Sequence, residues 1–310
     1  MMQKSGGNDR FSLWSGALFC CALWGLAPPL IKTGYSIMQI ESTSSIILFA
    51  GLRFFLAGVM VIAWSSLQEK HFVHPCKKEI RPILVLACFQ TFGQYVFYYL
   101  GGAHSTGMMM SVLSGLAALL ELVFSCWLFR LEKMTPLKFI GCLTGFTGIL
   151  IMNYTAGGFT FSLNGEGVLV LSQVCAAISA IFIQIFSRQS SPVLLSGWQF
   201  AIGGLAMIGA SFLIGHPVIH WNGAGALLLL MLAFVSAGAY TLWGVLLSRW
   251  PVSSVAVFGC TIGLFGVLFS ALFLHEALSL RIALGAIFMS AGILVVNLKT
   301  QKLETNAQAG

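Results

Sequence analysis

Charge is what this sequence is short of. Of its 310 residues only 8% are Asp, Glu, Lys or Arg, and just 9 are acidic, against roughly 25% charged in an ordinary soluble domain. A water-soluble fold of this length cannot be covered by so few charges, because its outside must face water. Several patterns that carry chemistry are absent too. There is no GxxxxGK[ST] phosphate loop, no HExxH, no GxSxG and no pair of carboxylates on one apolar segment, which argues against ATP-driven transport by this chain and against hydrolytic or metal-assisted catalysis. The 8 cysteines show no metal spacing. Cys20, Cys21, Cys88, Cys126, Cys142, Cys175 and Cys260 fall in apolar segments, where they read as small packing residues, and Cys76 falls in a loop. No cofactor and no metal are expected. The basic residues are scattered over short loops, so the net charge of +7 gives no nucleic-acid surface.

What is present is apolar. Hydrophobic residues make up 58% of the chain, and the mean hydropathy is +0.91. Apolar runs of about 20 residues suit the ~30 Å hydrocarbon core of a bilayer. Charges and Gly/Pro/Asn clusters divide the chain into candidate spans at 12–32, 43–66, 82–103, 106–129, 135–153, 165–187, 193–214, 224–247, 252–273 and 279–298. The runs are long and apolar on all faces, unlike the short alternating strands of a membrane barrel. The first run is too long for a cleavable signal peptide, and Pro28-Pro29 predicts a broken or kinked end to it. With the N-terminus inside, Lys4, Arg10, Lys70, Lys77, Lys78, Arg81, Arg130, Lys133, Lys138, Arg188, Arg249, Lys299 and Lys302 are cytoplasmic. Only Lys32 and Arg281 are outside, and Arg53 lies within a span. This bias predicts that both termini are cytoplasmic.

The chain repeats itself. Moving Glu132 onto Glu276, a shift of 144 residues, lays FRLEKMTPLKFIGCLTGFTGILIMN on FLHEALSLRIALGAIFMSAGILVVN without gaps. The informative matches are Gly115/Gly259, Glu132/Glu276, Gly141/Gly285, Gly148/Gly292 and Asn153/Asn297, with Thr135/Ser279 a conservative one. A slightly different shift sets GLRFFLAG on GWQFAIGG, so that Arg53 meets Gln199. Five spans per half is an odd number, so the halves 12–153 and 165–298 enter the membrane with opposite orientation. Inverted repeats of this kind occur in secondary transporters, with the substrate near the midplane between them. The expected fold is therefore an all-α integral membrane protein of ten transmembrane helices, built as two inverted five-helix repeats around a central cavity.

Together, ALWGLAPPLIK in the first span, AGLRFFLAG in the second and the twin segments above resemble the EamA-domain family of the drug/metabolite transporter superfamily. The resemblance runs over nearly the whole chain. It implies a basket of ten helices whose spans 1, 3, 4, 6, 8 and 9 line most of a central cavity, and it says little about substrate. The family often carries Pro near the middle of spans four and nine, where this chain has Leu119 and Gly263.

Charges at membrane depth are costly and usually face the protein interior. Glu121, in the inner half of span four, is the candidate for coupling to a proton or for binding a substrate ammonium; the alternative is a structural pair, with Arg53 as one partner, or a solvated group. Ser111, Ser114, Glu121 and Ser125 share one stripe by helical spacing. Arg53 and its counterpart Gln199 are read as architectural or as substrate ligands. Gln90, Gln94 and Tyr98, spaced i, i+4, i+8, predict a polar wall on span three. Gln173 and Gln184 on span six, Ser236, Tyr240 and Trp243 on span eight, and Trp24 on span one complete the candidate set. The substrate-binding set is thus Trp24, Gln90, Gln94, Tyr98, Ser114, Glu121, Gln173, Tyr240 and Trp243. Glu132 and Glu276 are read as structural groups favouring a helix N-terminus. Gly141, Gly145, Gly148, Gly259, Gly263 and Gly266 are read as close-packing residues, and a metal role for His71, His74 and Cys76 is disfavoured.

The expected function is secondary transport, as an exporter of small metabolites such as amino acids across the cytoplasmic membrane, by alternating access coupled to a proton or to a counter-substrate. The expected partners are a small-molecule substrate and membrane lipid, with a monomer sufficient. The alternatives are a membrane scaffold or receptor without flux, and an intramembrane enzyme acting on a lipid-linked substrate.

Overall fold

A computed structural model describes residues 7–130, 134–155, 158–159, 161–249 and 257–307. Among the described residues the regular structure is helical, apart from one short hairpin with two residues in each strand. In chain order the helices are α1 (Gly7–Ile37), α2 (Thr43–Glu69), α3 (Lys77–Ala103), α4 (Gly107–Trp127), α5 (Pro136–Asn153), α6 (Leu163–Phe186), α7 (Pro192–Ile214), α8 (Gly223–Arg249), α9 (Cys260–Leu274) and α10 (Leu280–Ala307). Eight of them are long and apolar enough to cross a membrane. The remaining two hold shorter apolar stretches, Thr261–Leu274 and Leu280–Val295. The hairpin pairs Tyr154–Thr155 antiparallel with Gly158–Phe159 between α5 and α6.

Local chemistry sets the helix starts. Ser42, Thr106 and Thr135 accept the backbone N–H three residues on, at 3.1, 3.1 and 3.4 Å, satisfying donors that a helix N-terminus leaves unpaired. Pro136 and Pro192 stand at the first helical positions of their helices, where the missing N–H costs nothing. Pro28-Pro29 does not end α1, which continues to Ile37; the expectation of a broken end is corrected. The prolines instead leave the carbonyls of Trp24 and Gly25 without their intrahelical donors.

Three helices depart from regular winding. α3 carries a π-helical stretch at Ala87–Gly93, which adds a residue to the turn and rotates the remainder of the helix, from Gln94 to Ala103. α4 is interrupted at Gly115, between Gly107–Ser114 and Leu116–Trp127. α6 also opens on a π turn, Leu163–Gly167.

Packing is dominated by two pairs, α2 against α7 and α5 against α10. Both are seams of backbone on backbone. A Cβ added at Gly51 would meet the Gly204 carbonyl at 3.0 Å, and one at Gly58 the Gly197 carbonyl at 2.8 Å. Along α5 and α10, a Cβ at Gly148 would meet the Gly285 carbonyl at 2.6 Å, and one at Gly292 the Gly141 carbonyl at 2.6 Å. Glycine is required there because nothing larger fits between the helices. The close-packing expectation thus fits Gly141, Gly148 and also Gly266, which lies against Ser111. Gly259 differs, since an added Cβ would meet nothing within 4 Å. The main buried cluster joins residues from α1 to α10, and two small clusters stand apart from it. The outward faces are apolar, with Leu213 89% exposed and Phe212, Leu205, Phe234 and Leu272 also exposed. Such a surface suits lipid, and the chain is a multi-pass membrane protein.

Candidate substrate site between the helices

Arg53 enters the interior from α2 and is 2% exposed. Its Nε donates to Ser236 Oγ of α8 at 3.0 Å, and its Nη1 donates to the Tyr99 hydroxyl of α3 at 2.8 Å. The guanidinium also lies 5.0 Å from the Phe54 ring centre and 6.0 Å from that of Tyr99. A buried cation is costly unless it is compensated, and here two hydroxyls and two ring faces do so. Tyr35 of α1 donates its hydroxyl to the Tyr99 carbonyl at 2.8 Å, so α1, α2, α3 and α8 meet at this cation.

A layer of rings continues from it. The hydroxyls of Tyr95 and Tyr240 share a hydrogen bond of 2.8 Å. Tyr240 packs edge-on to Trp24 at 5.2 Å and to Phe200 at 4.9 Å, and Trp24 packs on Trp243 at 5.0 Å. Phe54 lies 4.0 Å from Tyr95 and 5.5 Å from Phe200. Tyr98 reaches Ser114 Oγ of α4 at 3.3 Å, and Ser114 donates to the Met110 carbonyl at 2.8 Å. Of the residues singled out in the sequence, Trp24, Tyr98, Ser114, Tyr240, Trp243 and Arg53 therefore belong to one aromatic and hydroxylic cluster. The Trp24 indole N–H is buried within it and has no hydrogen-bond partner among the described residues.

The remaining candidates lie apart. Gln199 Nε2 donates to Gln90 Oε1 across the α7–α3 contact. Gln90 sits in the π turn of α3, so the surplus residue separates its direction from that of Gln94 and Tyr98. Gln199 Oε1 and Thr91 Oγ1 in the same contact are buried without partners among the described residues. Gln173 donates to Ser172 Oγ at 3.4 Å, and Ser172 donates to the Gln94 carbonyl at 2.7 Å, joining α6 to α3. Glu121 accepts from Gln184 of α6 at 3.0 Å, towards the far end of α4. Ser111 is fully buried and turned back onto the Gly107 carbonyl at 2.7 Å. Ser125 is 7% exposed. Glu132 lies outside the described residues.

Tyr99, Tyr35, Phe54 and Phe200 were not among the sequence candidates. Tyr99 stands beside the polar stripe of α3, and the two phenylalanines are hidden among 25 in the chain. At the α2–α3 loop, His71, His74 and Glu69 line a hollow of about 250 Å³ with Ser65 and Ser191. No group of three or more His, Cys, Asp or Glu able to hold a metal occurs among the described residues.

The EamA-like transporter family matches this chain twice, over residues 13–154 and 163–298. "Uncharacterized transporter YvbV" of Bacillus subtilis (strain 168) is 26% identical over 289 residues, covering 91% of this chain and 90% of its own length. "Probable amino-acid metabolite efflux pump" of Escherichia coli (strain K12) is 25% identical over 300 residues, covering 90% of this chain and 92% of its own. A solved crystal structure of 20% sequence identity superposes with a TM-score of 0.66 over 94% of this chain and 99% of that one. Two consecutive matches that between them take in most of the helices carry the conclusion: the chain belongs to the EamA-like transporter family.

Proposed function

We propose that this protein is a secondary transporter that exports small metabolites, amino acids among them, by alternating access between two inverted five-helix repeats, 12–153 and 165–298. The observation that carries this reading is a pair of hydrogen bonds. Arg53 bonds Ser236, and Gln199 bonds Gln90. A shift of 146 turns Arg53 into Gln199 and Gln90 into Ser236 (53 + 146 = 199; 90 + 146 = 236). One bond is thus the other with the halves exchanged. The glycine seams behave alike. Gly51 on Gly204 becomes Gly197 on Gly58 under the shift of 146, and Gly141 on Gly292 becomes Gly285 on Gly148 under the shift of 144. Contacts that exchange in this way support a twofold axis between the halves, the arrangement that alternating access uses.

On this reading the substrate sits in a central cavity near the cluster of Trp24, Tyr98, Ser114, Tyr240 and Trp243. The unpartnered indole N–H of Trp24 is available to a substrate acceptor, and the rings supply apolar and stacking surface. Gln90 and Gln199 hold the halves together, while Gln94 and Gln173 stand beside the path. Arg53, locked by two hydroxyls, serves the architecture. Glu121, on the inner half of α4, couples transport to a proton or binds a substrate ammonium. Export of amino acids follows the printed name of the Escherichia coli relative. Orientation follows the Lys/Arg bias, with both termini cytoplasmic. A monomer holds the complete site.

Purified protein in proteoliposomes, tested against a panel of metabolites, checks the reading. Glu121→Gln should abolish or redirect uptake while the folded protein remains. Unchanged uptake kinetics in that variant would remove Glu121 from the mechanism, and absence of flux for the whole panel would favour a scaffold role.

A further inference from the structure

Three charged side chains that the candidate site does not use converge on one short turn, 104–106, between α3 and α4. Lys32 of α1 donates from Nζ to the carbonyls of Gly102 at 3.1 Å and Ser105 at 2.8 Å. Glu276, in the α9–α10 turn, accepts the backbone N–H groups of Gly107 at 2.7 Å and Met108 at 2.9 Å. Glu166 of α6 accepts from Ser105 Oγ at 2.8 Å and from the Ser162 N–H at 2.9 Å, and is 8% exposed. The signs match the helix ends. The end of α3 offers unpaired carbonyls and receives a cation, and the start of α4 offers unpaired N–H groups and receives an anion. Glu276 does not cap α10, the next helix in the chain. That start is served by Ser279, whose Oγ accepts the Ile282 N–H at 3.3 Å. Glu276 instead reaches across 168 residues of chain to the other half.

Just beneath this turn the same end of the molecule is packed shut. A Cβ at Gly107 would meet Ser270 Oγ at 2.7 Å, Gly266 lies against the Ser111 side chain, and a Cβ at Gly25 would meet the Gly266 backbone at 2.8 Å. Beyond Gly115, α4 leaves α9 and packs chiefly on α6. One end of the α4–α9 contact is closed and the other diverges.

The geometry points to a latch. Glu276, Lys32 and Glu166 fasten the α3–α4 turn to the second half and to α1, and so hold shut the end of the molecule opposite the termini. That end opens only when the two Glu276 hydrogen bonds and the Lys32 hydrogen bonds are released. This rests on the alternating-access reading above. Lys32, Glu166 and Glu276 are not among the proposed substrate contacts, so they act on access rather than on binding.

The test is thiol accessibility in membrane vesicles. Ser114→Cys places a thiol at the aromatic cluster. A membrane-impermeant methanethiosulfonate is applied from the face opposite the termini, and modification is read at position 114 by peptide mass spectrometry. Adding Glu276→Ala, or independently Lys32→Met, should raise the rate of modification from that face by about tenfold or more, as expected when charge-assisted hydrogen bonds that favour one of two states are removed. Glu276→Gln, which keeps the shape and one acceptor, should give a smaller rise. A lowered melting temperature with an unchanged labelling rate in Glu276→Gln and Lys32→Met would reduce these residues to helix caps and overturn the latch. No labelling from either face in the Ser114→Cys parent would overturn the transport site itself, and the latch with it.

Discussion

Arg53 shows how a single residue can be expensive and still settled. Removing a guanidinium from water costs several kcal/mol even after relaxation. Here the cost is met by neutral hydroxyls and rings, with cation–π contacts worth ~2 kcal/mol when desolvated. Its neighbours form a connected layer, so their energies are shared. Tyr95 and Tyr240 own one hydrogen bond between them. Each single Phe variant should therefore lower stability, and the double variant Tyr95→Phe/Tyr240→Phe should cost less than the sum, with a coupling of about 1 kcal/mol. Thermal unfolding in detergent measures this, and strictly additive losses would mean the hydroxyls pair elsewhere. The sequence exposed Trp24, Tyr98, Tyr240 and Trp243 because aromatic rings with polar tips stand out on otherwise apolar helices. It hid Phe54 and Phe200, since a phenylalanine in a membrane span looks the same whether it meets lipid or a neighbour. It also hid the partner of Glu276, because a cap supplied from 168 residues away leaves no local pattern.

Among the elements, the seams are the most demanding. The α5–α10 contact tolerates no side chain at Gly292, where a Cβ would also meet Gly145 N at 2.6 Å. Gly292→Val should destabilise the protein by roughly 1–3 kcal/mol or more, the usual cost of overpacking. Gly209 of α7 faces open space, with nothing within 4 Å of an added Cβ. Gly209→Ala should be neutral or stabilising, by up to about 1 kcal/mol. Melting temperatures of the two variants side by side decide the point, and equal losses would mean that the seam sets no special demand. Helix positions were legible because apolar runs and Lys/Arg boundaries mark them. The π turn in α3 was not, because its seven residues, ACFQTFG, carry no feature of their own. The even spacing of Gln90, Gln94 and Tyr98 suggested a single wall, and the extra residue turned Gln90 to Gln199 instead. Of the broken or kinked end that Pro28-Pro29 suggested, the break does not occur, because α1, packed against α8 and α9, continues through the prolines to Ile37.

For the whole molecule, the basic residues and the apolar segments together predict both ends of the chain on the same side of the membrane. A C-terminal fluorescent-protein fusion should be bright and a C-terminal alkaline phosphatase fusion inactive in a bacterial host. The reverse pattern would invert the proposed topology and move the latch to the cytoplasmic face. Family membership was readable from the sequence because the resemblance runs over nearly the whole chain, whereas the bonds between distant helices needed coordinates. The glycine seams then have a mechanical meaning. Where backbone rests on backbone there are no side-chain rotamers to rearrange, so the joint can neither compress nor creep. A displacement of α10 arrives at α5 undiminished, and the same holds for α7 and α2. Each seam is thus a strut: the two helices it joins move as one body.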